Sequence, residues 1–133
     1  MTKEDKELLL KDLCSRVLHL PIVYIEGDWY DDDMESYNST LTLAKLEDFQ
    51  SHDYIMKPYL RPMSSMTDEE VKEFNALVGY EEKGEWIRCN NICGSYGINL
   101  IGCSDMLDWL NAHYFDYRGL IPLGLAIEAV NMY

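Results

Sequence analysis

Three groups of side chains in this chain hold the kinds of atoms from which chemical sites are built. Cys89, Cys93 and Cys103 form C-x3-C-x9-C, and His113 follows ten residues later. Zinc takes sulfur and nitrogen ligands in tetrahedral geometry, so these four are the nearest approach to a metal set. The spacing lacks paired C-x2-C knuckles, and Cys103 and His113 fall at opposite ends of an expected helix, about 15 Å apart by its rise. Buried free thiols fit better, and no metal site is assigned. The second group is the run Asp28, Asp31, Asp32, Asp33 and Glu35. Carboxylates suit calcium or magnesium, but the run has neither the alternation nor the sixth-position glycine of an EF-hand loop. It reads as an exposed acidic hairpin loop. Trp29, Tyr30, Asp31, Asp32, Asp33 and Tyr37 are its candidate partner-binding residues, because aromatic anchors carry much of the energy of an interface.

The third group is Asp116-Tyr117-Arg118. An arginine fork either pairs with a carboxylate or presents itself to an anionic ligand. Lys57, Arg61 and Arg118 are therefore the candidate ligand-binding residues for a small anion or nucleotide signal, provided the fold gathers them. His113, with Asp116 close by to orient its ring, is the nearest approach to an acid–base pair. His19, His52 and His113 have no nucleophile at a marked spacing. Gly94-Ser95-Tyr96-Gly97 lacks the frame and the lysine of a phosphate loop. No catalytic residue and no cofactor are assigned.

The elements that must position these groups follow from periodicity. Leu9, Leu10, Leu13, Cys14 and Val17 recur at spacings of three and four, which predicts an amphipathic helix over 3–17, with Asp12 off the apolar stripe. Ile22–Glu26 reads as a strand. Alternation through Leu41 and Leu43 extends strand structure across Tyr37–Leu46. The spacing Pro58-x3-Pro62 is one residue too long for a PxxP ligand. It reads as a stiff approach that holds Lys57 and Arg61 extended and aims Tyr59 and Leu60 at the core. Thr67 and Glu70 have capping-box spacing, Met66 and Val71 that of a hydrophobic staple, so a helix starts there and runs to Gly79. Ser104 or Asp105 caps a further helix bearing Met106, Leu107, Trp109, Leu110 and Tyr114. A helical turn and a buried strand at Leu125–Ala129 close the chain.

At 133 residues, 47% of them hydrophobic and 26% charged, the chain has one core to bury. A single α+β domain spanning 1–133 is expected, with about three helices packed on a small, mainly antiparallel sheet, an acidic loop at 26–35 and a variable segment at 82–101. The net charge of −13 argues against direct nucleic-acid binding, which draws its affinity from a cationic face. Absence of an 18-residue apolar run and of a secretory leader argues against membrane insertion and export. A cytoplasmic setting is expected.

KPYLRPMSSMTDEE at Lys57–Glu70 and WLNAHYFDYRGLIPLGLAIEA from Trp109 onward resemble the characteristic segments of a group of small uncharacterised proteins of gut Bacteroidales and their phages and prophages. The likeness takes in LLLKDLCSRV and the closing Met132–Tyr133, about half of the chain. It implies lineage, in the cytoplasm of a bacterial host, rather than a mechanism. Pro122 and Leu123 depart from the charged pair of the group, and Glu82–Ile101 matches none of its segments. The expectation is a non-enzymatic phage- or prophage-type accessory protein that binds a protein partner, with homo-oligomerisation open. The alternatives are a small anionic-ligand or nucleotide-signal binder and a small hydrolase.

Overall fold

Thr2 begins the first helix. Its hydroxyl accepts from the Asp5 N–H while the Asp5 carboxylate accepts from the Thr2 N–H, a capping box that opens α1 (Lys3–Arg16). A computed structural model describes residues 2–27, 36–78 and 103–133. The expectations for Trp29 to Asp33, for Asp28 and Glu35 of the acidic loop, for Cys89 and Cys93, for the helix end at Gly79 and for the segment 82–101 lie outside those residues, whereas Glu26 is the last residue of the first strand.

After α1 a 3₁₀ turn at Val17–His19 leads into β1 (Ile22–Glu26). β2 (Ser36–Thr40), α2 (Leu43–Ser51) and β3 (Ile55–Leu60) follow, then a 3₁₀ turn at Met63–Ser65 and α3 (Asp68–Val78). α4 (Cys103–Ala112) and the short β4 (Ile127–Glu128) complete the described elements. The strand order is β2-β1-β3-β4; β1 is antiparallel to both neighbours, and β4 runs parallel to β3. This is the expected α+β fold, with four described helices and a mixed sheet.

Strand alternation divides the sheet into two faces. Val23, Ile25, Met56, Pro58 and Leu60 are buried. Of these, Val23, Ile25, Met56 and Leu60 pack with Leu9 and Leu13 of α1 and Leu46 and Phe49 of α2. Tyr24, Lys57 and Tyr59 fall on the outer face, where the Tyr59 hydroxyl donates to Asn38 and that of Tyr24 to Glu26. Of Tyr59 and Leu60, the approach segment thus aims only Leu60 at the core. Pro58 stands opposite Val23, and β4 begins one residue later, opposite Tyr59, so a residue without an N–H is accommodated in an inner strand.

Two expectations are corrected. The strand over Tyr37–Leu46 stops at Thr40, because the Thr42 hydroxyl accepts from the Lys45 N–H and starts α2, which buries Leu46 and Phe49 three residues apart. The closing strand is shorter than Leu125–Ala129: only Ile127 and Glu128 pair, while Gly124 (φ 75) and the bond from Leu125 N–H to the Leu120 carbonyl end a turn just before them.

A second core joins Met63, Met66, Val71 and Phe74 to Met106, Leu110, Phe115 and Tyr117. The capping box at Thr67 and Glu70 is present in both directions. α4 ends with the Phe115 N–H bonded to the Leu110 carbonyl and the Tyr114 N–H to that of Asn111, a Schellman-type closure. Its left-handed position is Tyr114, at φ 62, where glycine would be usual. The Tyr114 hydroxyl donates to the His19 carbonyl and its ring stacks 3.7 Å from that of Tyr133, contacts that glycine would forfeit.

Candidate functional site

Three clusters bear the chemistry of the described residues, and the segment Leu110–Ile121 contributes to each. The first is buried. Asp12 and Arg16 are both 0% exposed, although the helical spacing puts Asp12 on the polar side. Arg16 donates through Nε (2.9 Å) and Nη2 (3.0 Å) to Asp12, and through Nη2 to the Phe115 carbonyl at 2.7 Å. Arg118 adds a 2.7 Å bond to Asp12 and further bonds to the Tyr117 hydroxyl and Ser15. Both guanidiniums lie against the Tyr117 ring, Arg16 at 4.9 Å and Arg118 at 4.7 Å from its centre, and the Tyr117 hydroxyl donates to Asn111. Burial pushes the Tyr117 phenol up, against the pull of both arginines. Among these groups only Arg16 Nη1 is buried without a hydrogen-bond partner.

The second cluster lies where α3 begins and α4 ends. Arg61 forks onto Glu70 at 2.8 and 2.7 Å, with its guanidinium 4.2 Å above the Phe115 ring. His113 Nδ1 lies 3.5 Å from Glu70, and its ring packs 4.2 Å from Trp109. The carboxylate beside His113 is therefore Glu70. Asp116 is engaged elsewhere, accepting from the N–H groups of Leu120 and Ile121 and so closing the turn into the tail.

The Arg61 fork, helped by the Thr67 N–H and opposed by burial, holds the Glu70 carboxyl at about 2, below its usual 4.5. A depressed carboxyl pKa gives stability that is whole above 4.5 and is lost as pH falls through 2. Glu70→Gln is expected to cost about 1–2 kcal/mol at pH 7, the size of a partly screened charge-assisted pair. Its deficit should shrink between pH 4.5 and 2, which urea melts at several pH values would check.

The third cluster is on the surface. Leu18 is 83% exposed and Leu20 57%, and Leu20 is left-handed at φ 53, ψ 54. The turn bearing them is tied to the C-terminal segment through Tyr114 to His19, through the Ile22 N–H to the Tyr133 hydroxyl, and through that hydroxyl to the Tyr59 carbonyl. Burial pushes the Tyr133 phenol up to about 12. The same segment exposes Val130 and carries Asn131 at φ 56. Among the described residues the non-glycine left-handed positions are Leu20, Tyr114 and Asn131, and all three adjoin this seam.

The three candidate cations are not brought together. Lys57 falls on the outer face of β3, Arg61 is held by Glu70, and Arg118 is held by Asp12 on the helix that covers the inner face. Arg118 therefore pairs with Asp12, 106 residues earlier, rather than with neighbouring Asp116. Tyr37 is half-buried against the first core, with the Lys45 ammonium 5.8 Å from its ring centre. Sequence reasoning missed Asp12, Arg16 and Leu20. The four-residue spacing of Asp12 and Arg16 was a signal for an ion pair, whereas nothing local marks its burial.

No group of three or more His, Cys, Asp or Glu side chains among the described residues could hold a metal ion. No described helix is long and apolar enough to cross a membrane. In class the chain is an α+β protein, with a mixed sheet of four strands among the described residues. Compared with family models, with curated proteins and with solved structures, it matches none.

Proposed function

We propose that this chain is a non-enzymatic accessory protein, of the phage- or prophage-borne kind its resemblance implies, that docks a protein partner through the Leu18–Leu20 turn and the adjoining C-terminal segment. The observation that carries this reading is an exposed leucine in strained backbone. Left-handed backbone costs a residue such as leucine about 1–2 kcal/mol, and a side chain 57% exposed returns little of that to the fold. Strain kept where it brings no packing is characteristic of contact sites. Leu18, Val130 and Tyr133 add apolar surface to the same seam. With a net charge of −13, the partner that fits has an apolar contact surrounded by basic side chains.

The alternative of an anion-binding cleft gains no support, because Arg61 and Arg118 are already engaged by carboxylates. The test is the native mass of protein taken from the cells that make it, for the parent and for Leu18→Asp with Leu20→Gly. Glycine relieves the left-handed strain but loosens the unfolded chain, so Leu20→Gly alone should stay within about 1 kcal/mol of the parent. The parent should carry a partner protein that the double variant has lost while remaining folded. A parent without a bound protein, or a double variant that retains it fully, would overturn the proposal.

A further inference from the structure

Among the described residues β2 is an outer strand of the sheet, and its hydrogen-bonding phase can be worked out. The Leu41 N–H donates to the Pro21 carbonyl at 2.8 Å. Bonded and non-bonded pairs alternate in an antiparallel ladder, so Val23 with Ser39 and Ile25 with Tyr37 are the bonded pairs between β1 and β2. The same phase turns Val23 away from β3, where Pro58 stands opposite it with no N–H to give. It also frees the Ile22 N–H to reach Tyr133. Ser36, Asn38 and Thr40 therefore direct their N–H and C=O groups away from β1.

We propose that this edge pairs with β2 of a second copy of the chain, antiparallel about a two-fold axis at Asn38. Asn38 then faces the partner's Asn38, and Ser36 faces the partner's Thr40. The central residue and both terminal ones carry outward groups, so each pair exchanges two N–H···O bonds. An isologous two-fold contact needs this self-complementarity.

The self-complementary register selects a second copy as the occupant, and charge permits it. Copies bearing −13 each repel unless they meet at a neutral surface, and Ser36–Thr40 has no charged residue. The edge also lacks the lysine, proline or bulge with which sheets block such pairing: five residues run in unbroken register against β1.

Sedimentation equilibrium over a concentration series tests the pairing. The parent should approach twice its 15.5 kDa mass as concentration rises. Asn38→Lys places like charges opposite each other at the axis and should raise the dissociation constant at least about tenfold. Asn38→Pro removes an outward N–H while sparing the ladder to β1 and should weaken the dimer in the same direction. Far-UV circular dichroism identifies the variants that remain folded, and the second is read if the first is not. A parent that stays monomeric throughout, or a folded variant with unchanged affinity, would overturn the pairing.

Discussion

Asp12→Ala is expected to remove about 3–5 kcal/mol of stability, the usual cost of breaking a buried ion pair from one side. Globular domains have only about 5–15 kcal/mol in total, so this variant should be close to unfolding at physiological temperature. Helix propensity works against the loss, because alanine is the best helix former. The loss comes from what remains: Arg16, fully buried, keeps only the Phe115 carbonyl, and Arg118 loses its 2.7 Å carboxylate contact. A charge left in a low-dielectric interior without its counter-charge forfeits its solvation with no return. Asp12→Leu combined with Arg16→Met should recover most of the deficit, to within about 2 kcal/mol of the parent, because a well-packed apolar pair is often as stable as a buried ionic one. Urea denaturation of the three proteins checks the order. A single variant as stable as the parent would mean that the triad of Asp12, Arg16 and Arg118 contributes nothing net.

That triad also marks where the sequence ceased to be readable. Local signals were sufficient for α1, β1, the start of α3 and the position of α4, because each rests on spacing within a few residues: the capping box at Thr67 and Glu70 needs only three. They failed for Leu43–Ser51, where alternating Leu41 and Leu43 look like strand and the deciding Thr42 cap is one hydroxyl among several. Helical spacing puts Asp12 on the polar side of α1, and the Arg118 that also binds it is 106 residues away. Its burial follows from how the segment after α4 lies against α1, which no window of sequence contains.

The candidate site divides in the same way. A role for Arg61 and Arg118 was legible in their type, as arginines scarce in an acidic chain, but their counter-charges were not. Each turned out to be engaged by a carboxylate supplied by a different helix, Glu70 of α3 and Asp12 of α1. Leu20 gave one local signal, because it precedes Pro21 and is thereby biased away from the right-handed helical region, but nothing in the sequence marks it as the left-handed cap of the turn after α1. A leucine there reads as an ordinary apolar residue until its φ is known.

Phe115→Ala is expected to cost about 3–5 kcal/mol, the range for removing a fully buried aromatic ring. More than volume is lost, because Phe115 is where the buried triad and the Arg61–Glu70 pair meet. Its ring stacks on Trp109 at 5.8 Å and 15°, the Arg61 guanidinium lies 4.2 Å above it, and its carbonyl receives Arg16. The backbone bonds survive substitution, whereas the ring contacts do not. Phe115→Leu retains the apolar contact without the π face, so it should cost about 1–2 kcal/mol. The ring's share of holding Arg61 can be isolated by a double-mutant cycle with Arg61→Met, with an expected coupling of about 0.5–2 kcal/mol. Because Arg61 sets the Glu70 carboxyl, the same variants carry a second readout. If the ring positions the fork, Phe115→Leu should raise the Glu70 midpoint from about 2 toward its usual 4.5, measurable by carboxyl-carbon NMR titration. A Glu70 midpoint unmoved in a folded Phe115→Leu variant would leave the ring a packing role alone.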